Sequence, residues 1–485
     1  MKKSIIALSV AAAMGGFAGT ASAQATQHLV FNPRGVGHIN IVPYFSSQSA
    51  NQTAISIVNT DTVRGKAVKV RFRGASNSDD VYDFQVFLSP GDVWTAGVSQ
   101  ATDGTSQLTT TDKSCTLPSN VNGKFITSRV YKNGVEQTRE GYIEVLTMGD
   151  IVNTSGKYAD LFKAVKHVNG VAPCTSSVLT ALTRENAADY MVQPTTGLMT
   201  NWSIVNVSKF LVYSSEGAAI EARSIATGDD VAGNLVYWDQ RSIPLSTGEI
   251  TANTADPLFV GGYVQAARYD LPDLSTPYLS SSTRTPADQA RELSDSIAFR
   301  TVAGEFFNLA SLGAATDWVV SFPTRRYHAA VQYGSTTNTA RYANDGNPYF
   351  NANNTVLNVY QLCAKLGLNA LAFFDREEKS PLIDDIVISP GTPTELALCG
   401  EVAVLGVNGG IDAAGVAASA TFGTLTRSNV NNGFTEGWGY FTTPSAYGLP
   451  MLARQFTRIS NTTTNVYYGN QYPARVLEKG LDNPY

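Results

Sequence analysis

The sequence predicts a mainly β protein built from antiparallel sandwich-like units with a few short helices. Strand-sized runs that alternate apolar and polar residues recur along the chain, and turn residues separate them. Charged residues fill only 15% of the 485 positions, below the usual quarter, so Ser, Thr, Asn and Gly must cover the outer faces of those strands. Cysteines number four, an even count of the kind that forms disulfides in an exported chain.

The chain opens with Lys2 and Lys3, an apolar stretch over residues 5–14 and a small-residue run ending in Ala21-Ser22-Ala23. That order predicts a cleavable secretory signal peptide over residues 1–23, with Gln24 as the mature N-terminus. The apolar stretch is too short for a permanent anchor, and no later run approaches the roughly 18 apolar residues a membrane helix needs. Removing residues 1–23 takes away two lysines and no acid, which moves the formal charge from −5 to −7. No basic face for nucleic acid is visible. The expected location is extracellular, at the cell surface or in the periplasm. The tail argues against an outer-membrane barrel, because residues 477–485 do not alternate and Pro484 cannot donate to a ladder.

Residues 24–45 read as an extended arm able to add to a neighbour's sheet edge. Residues 54–59 form a strand, 61–65 a turn, and 68–73 a second strand with Val68, Val70 and Phe72 on one face and Lys69, Arg71 and Arg73 on the other. Residues 84–88 make a third, closed by Ser89-Pro90-Gly91-Asp92. Residues 100–113 read as an exposed loop or long hairpin, and 141–148 return to strand. Tyr158, Leu161, Phe162, Val165 and Val168 form one helical stripe, and residues 176–191 predict a second helix ended by Pro194. Strands resume at 202–207, 210–213, 218–222, 235–238 and 318–322. Pro286 before a run of helix formers predicts a helix over 288–299. Residues 335–354 read as loop, 371–374 as strand, and 398–407 and 434–441 complete the β pattern. Ile57-Val58-Asn59 and Ile204-Val205-Asn206 look like the openings of two related sheets. The resulting division is a signal peptide (1–23), an N-terminal sandwich unit (24–200) with a helical segment near 155–192, and a C-terminal β-rich unit (201–485).

Cys115, Cys174, Cys363 and Cys399 form no CxxC pair and have no histidine at zinc-site spacing. Three disulfide connectivities are possible. Sequence-local pairing gives Cys115–Cys174 and Cys363–Cys399, each worth roughly 4 kcal/mol in the chain-entropy model, and the first would tie the helical segment to the first β unit.

Catalytic patterns are missing. His28, His38, His167 and His328 make no HxH or HExxH pair, no serine sits in GxSxG, and no phosphate-cradling glycine loop appears. The densest acidic run, Asp375-Arg376-Glu377-Glu378 with Asp384-Asp385 beyond it, has the residue types for glycoside hydrolysis, but Arg376 is expected to pair locally in a solvated loop. No cofactor is expected. Calcium is the metal best matched to the clustered oxygen ligands, at Asp79, Asp80 and Asp83, at Asp229 and Asp230, or at Asn344-Asp345-Gly346-Asn347, yet none follows DxDxDG. Trp94, Trp202, Trp238, Trp318 and Trp438 sit in or beside strands, where core packing is the default even for Trp438 between Gly437 and Gly439.

Several phrases together resemble a group of exported proteobacterial proteins without an assigned function. They are the Gly-x-Gly…Pro43-Tyr44-Phe45 stretch, residues 66–72 leading into Asp83-Phe84…Leu88-Ser89-Pro90…Asp92-Val93-Trp94, Phe322-Pro323-Thr324-Arg325-Arg326, and Asp375-Arg376-Glu377-Glu378. The resemblance implies a secreted or cell-surface protein and supplies no catalytic residue. The expected function is a non-enzymatic structural or interaction protein of a Gram-negative envelope, part of a surface layer or other assembly, with itself or other envelope components as partner. The alternative is a carbohydrate-binding protein or glycan hydrolase, which requires a cleft with paired carboxylates beside an exposed tryptophan and is weakened if Asp375, Glu377 and Glu378 sit on an open loop.

Overall fold

A computed structural model describes residues 27–237, 258–265, 286–334, 336–344, 346, 348–367, 370–379, 387–388, 396–407, 427–461 and 463–481. Residues 1–26, and with them the expected signal peptide, lie outside the described residues. The strands of the first half are β1 (Gln27–Asn32), β2 (Ile39–Ser46), β3 (Asn51–Asn59), β4 (Gly65–Gly74), β5 (Asp80–Leu88), β6 (Val93–Gln100), β7 (Ser106–Thr109), β8 (Cys115–Leu117), β9 (Glu140–Ile151), β10 (Leu198–Asn206), β11 (Leu211–Glu216) and β12 (Ala218–Ser224). They stack as two open sheets, β1-β12-β2-β9-β4-β5-β8 against β7-β6-β3-β10-β11. Neither path closes on itself, so the described sheets form a sandwich rather than a ring. Ring contacts such as Phe84–Trp94, 5.3 Å between centroids, fill the gap between them.

Alternation explains the outer sheet: β3 and β10 bury every second residue and leave Gln52, Ala54 and Ser56 toward solvent. The first sheet is different, because β2, β4 and β9 are buried along their whole length. One face of it meets the outer sheet, and residues 190–194, residues 231–237 and the second half of the chain cover the other.

The second half contributes β13 (Ala298–Phe307), β14 (Ala314–Ser321), β15 (Gln361–Gly367), β16 (Leu371–Asp375), β17 (Leu396–Cys399), β18 (Val402–Val407), β19 (Glu436–Thr442), β20 (Leu452–Asn461), β21 (Val466–Pro473) and β22 (Arg475–Lys479). One sheet runs β16-β19-β13 with β22 paired to β13, and a second contains β18-β14-β20-β21. Both disulfides form by the sequence-local pairing. Cys115–Cys174 fastens the helical segment to the sheet edge, and Cys363–Cys399 joins β15 to β17 at directly opposed positions.

Several sequence expectations need correction. The first unit does not end at residue 200, because β10, β11 and β12 complete its sheets and Tyr237 still donates to Gln85 at 2.8 Å. The two Asn-ended strands do not open separate sheets; β3 and β10 are antiparallel neighbours, with Asn51 opposite Asn206. Nor is the N-terminal arm free to donate: β2 lies fully buried between β12 and β9. Residues 235–237 are not strand, although Val236 donates to the Met148 carbonyl at 3.0 Å; Trp238 lies outside the described residues.

The helices are shorter than predicted. Helix α1 spans Lys157–Val165, and Val168 lies beyond it in a bridge with Val171. In the second segment only Ser176–Leu179 (α2) is α-helical, followed by a 3-10 turn at Ala187–Asp189. Asn186 breaks it by accepting from the Thr183 amide and donating to the Ala181 carbonyl, both at 2.9 Å, a side-chain alternative to the helical ladder. Helix α3 is Pro286–Ser296, with proline at its start, and Phe299 already belongs to β13. It packs along the β1 edge and blunts it. Residues 339–342, expected as loop, pair as a strand with residues 329–332.

Candidate functional site

The cations of β4, on both its faces, do not meet water. Lys66 contacts Asp150 at 2.9 Å and Arg73 contacts Glu144 at 3.3 Å, with all four side chains fully buried. Arg71 meets Asp80 at 3.2 Å, and Lys69 meets Asp83. The expected calcium ligands Asp80 and Asp83 are therefore held by cations, and Asp79 accepts from Tyr333 at 3.2 Å. Asp230 faces Arg34 and Arg223 at 4.0 and 3.9 Å. Asp345 and Asn347 lie outside the described residues. No group of three metal-ligating side chains occurs among the described residues.

The same buried charge continues across the junction of the two halves. Arg325 and Glu401 pair at 3.3 Å, Gln361 donates to Ser76 at 3.0 Å, and the Glu401 and Val402 amides donate to the Ala75 carbonyl. Burial pushes the Glu401 carboxyl up to about 7 despite Arg325 beside it, and burial lowers Arg325. Both shifts report one cause, desolvation exceeding the attraction of the pair. The Phe322-Pro323-Thr324-Arg325-Arg326 motif is thus a structural joint.

The histidines lie in structural settings. Burial, then Lys66, pushes His38 down to about 3, so it stays neutral near pH 7. His328 is buried against Ser294 at 2.8 Å. Ser89, His167 and Asp92 do come together, but Ser89 Oγ and Asp92 Oδ2 approach the same ring nitrogen, Nδ1, at 3.1 and 3.3 Å. A proton relay needs the two partners on opposite nitrogens.

An exposed arrangement lies on the outer face of the β16-β19-β13 sheet. Gly437 and Gly439 point inward, where a Cβ would meet the Phe374 carbonyl and the Phe373 ring at 1.9 and 2.5 Å. Their absence of side chains lets β19 press onto β16, and the alternation sends Glu436, Trp438 and Tyr440 outward. Trp438 is 41% exposed, whereas Trp94, Trp202 and Trp318 are buried at 0%, 2% and 4%. The core expectation for Trp438 is therefore overturned, and it holds for the other three. Its ring stacks on Phe374, with 4.8 Å between centroids at 17°.

Opposite Trp438 stands β21, whose residues 468, 470 and 472 share one face. Tyr468 and Tyr472 are half exposed, and Asn470 donates to both phenol oxygens. Burial, then Tyr468 and Glu305, raises the Tyr472 phenol above its ordinary value, so it keeps its proton at neutral pH. Between the two walls run two adjoining cavities of about 470 and 400 Å³ that share Glu305, Gln455 and Tyr472. Glu305 stands opposite Trp438 in the β13–β19 register and is exposed. Glu436 is held by Arg376 at 2.8 Å, and Arg376 also contacts Glu377 at 3.1 Å.

Of the residues singled out in the sequence, only Trp438 and Arg376 reach this groove. Asp375 folds its carboxylate back onto the Glu377 and Lys379 amides, both at 2.8 Å, in an exposed turn. Asp384 and Asp385 lie outside the described residues. Glu305, Glu436, Tyr468, Asn470 and Tyr472 were missed. The signal for the β21 residues was a strand with aromatic or polar residues on both faces, which no apolar core could use.

Fold and groove define a disulfide-stapled double β-sandwich with an open aromatic trough. The chain matches no protein-family model, no curated protein and no solved structure.

Proposed function

We propose that this chain is an exported, non-enzymatic interaction protein of a Gram-negative cell surface or envelope, one that holds a partner rather than transforming it. The observation that carries the reading is the placement of ionisable groups. Lys66, Arg73, Glu144, Asp150, Arg325 and Glu401 are all buried as structural pairs, while an aromatic groove with Trp438, Tyr468 and Tyr472 stands exposed. Two disulfides agree with an oxidising compartment, and no helix among the described residues is long and apolar enough to cross a membrane.

A second reading, the glycan-active one, is favoured by Trp438 beside Glu305 and Glu436. Hydrolysis would need Glu305 and Glu436 to act as the acid–base pair, with Glu436 already engaged by Arg376.

Fractionating native cells tests the proposal. The protein is expected in the washed surface, periplasmic or medium fraction, bound to isolated envelopes and able to appear in a surface assembly by electron microscopy. Recovery in the cytosol with no affinity for envelopes refutes it.

A further inference from the structure

We infer that the groove binds a linear, uncharged polysaccharide, with Trp438 and Tyr472 as its stacking platforms. The inference rests on the reading of the protein as a surface binder and names the chemistry of its partner.

Shape is the first argument. The two cavities adjoin at Glu305, Gln455 and Tyr472, so the site extends over both and suits a chain rather than a compact molecule. Composition is the second. A pyranose ring has two apolar C–H faces and a rim of hydroxyls. Exposed indole and phenol rings present negative π faces to polarised C–H bonds. Around them stand the acceptors and donors a hydroxyl rim requires: the Glu305 carboxylate, the Gln455 and Asn470 amides and the tyrosine hydroxyls.

Charge decides which glycan. Glu436 is neutralised by Arg376, and Glu305 faces a trough that also contains Arg475. With both signs present in equal number, a polyanion meets Glu305 and Glu436 as readily as the arginines. A neutral chain pays no such penalty. Glu305 has no basic partner within ion-pair distance among the described residues, which leaves its oxygens to accept from hydroxyls.

The test uses the full mature chain in affinity electrophoresis through gels containing glucan, galactomannan or soluble chitin, with alginate as the acidic comparison. At least one neutral polymer is expected to retard the protein, equally in low and high salt, since screening acts on charge. Trp438→Ala and Tyr472→Ala should each weaken retardation by about tenfold, one stacking contact's worth, while Thr95→Ala on the far outer sheet leaves it unchanged. Addition of the retained polymer should change tryptophan fluorescence in the parent protein and not in Trp438→Phe. Binding that is confined to alginate, or that survives Trp438→Ala and Tyr472→Ala undiminished, overturns the inference. So does loss of envelope binding in Trp438→Ala without affinity for any neutral polymer, an outcome that assigns the groove a protein or lipid partner. Envelope binding that ignores the groove variants leaves the surface reading standing and removes only this one, whereas a parent protein that binds neither envelopes nor glycans refutes both.

Discussion

Phe456 tests whether the two halves are one cooperative body. The ring is fully buried on β20, yet its neighbours belong to the first half. It lies 5.9 Å from Tyr44 on β2, 5.5 Å from Tyr213 on β11 and 6.3 Å from Trp202 on β10, measured between centroids. Truncating a buried phenylalanine costs about 3–5 kcal/mol, and the lost ring pairs place Phe456→Ala toward the upper end of that range. Such a loss is a large fraction of the ~5–15 kcal/mol that stabilises an ordinary domain. Because the cavity opens at the junction, the halves should also uncouple. Guanidinium unfolding without reductant, followed by circular dichroism and fluorescence, should show one transition in the parent and two in the variant. Phe373→Ala provides the control: Phe373 is equally buried, but in the core of the second half, so it should cost a similar amount without splitting the transition. A fall of less than about 1 kcal/mol with the single transition kept in Phe456→Ala would refute the argument.

Three further outcomes follow from the same packing. Replacing Cys363 and Cys399 by alanine should lower stability by about 4 kcal/mol, read as a shift in denaturation midpoint without reductant; no shift would mean the β15–β17 pairing holds without the bond. Deleting residues 24–46 should give insoluble or unfolded protein, because Ile39, Ile41, Val42, Tyr44 and Phe45 are core residues, and a soluble, folded product would restore the donated-arm reading. Glu401, raised to about 7 from an ordinary 4.5, holds its proton more tightly folded than unfolded. Its contribution is therefore complete below pH 4.5 and is lost as pH rises through 7, a change of about 3 kcal/mol. The stability difference between the parent and Glu401→Gln should move by that amount across the window, against the parent at high pH, and a pH-independent difference would refute the assignment.

The sequence made the architecture legible where a strand buries one face. Residues 54–59 and 202–207 alternate because solvent lies on one side of the outer sheet, and period-2 reading finds them. It misled at β4, where Lys69, Arg71 and Arg73 alternate with Val68, Val70 and Phe72 just as a solvated strand would. A buried cation and an exposed one look alike in one strand. The distinguishing information sits in the partner strands, in Asp80, Asp83 and Glu144, and becomes visible only once register places them opposite. The boundary at residue 200 failed for a related reason: pairing β10 to β3 spans more than a hundred positions, and no local pattern encodes it.

The groove reverses the same logic. Its residues were illegible because a strand aromatic is normally core, and four of the five tryptophans lie where that default applies or outside the described residues. What separates Trp438 from them is the pair of flanking glycines. A glycine facing inward means that the inner side of β19 is occupied by the neighbouring strand's backbone and by the Phe373 ring, so the apolar demand of that position is met by β16 and not by the residue between the glycines. The tryptophan is then released to the outer face, where burial gives no reason to keep it. An indole held in water by its own strand's geometry costs solvation that a partner's contact recovers, and this is the physical reason for proposing the binding surface at Trp438 and not at the acidic turn beside it.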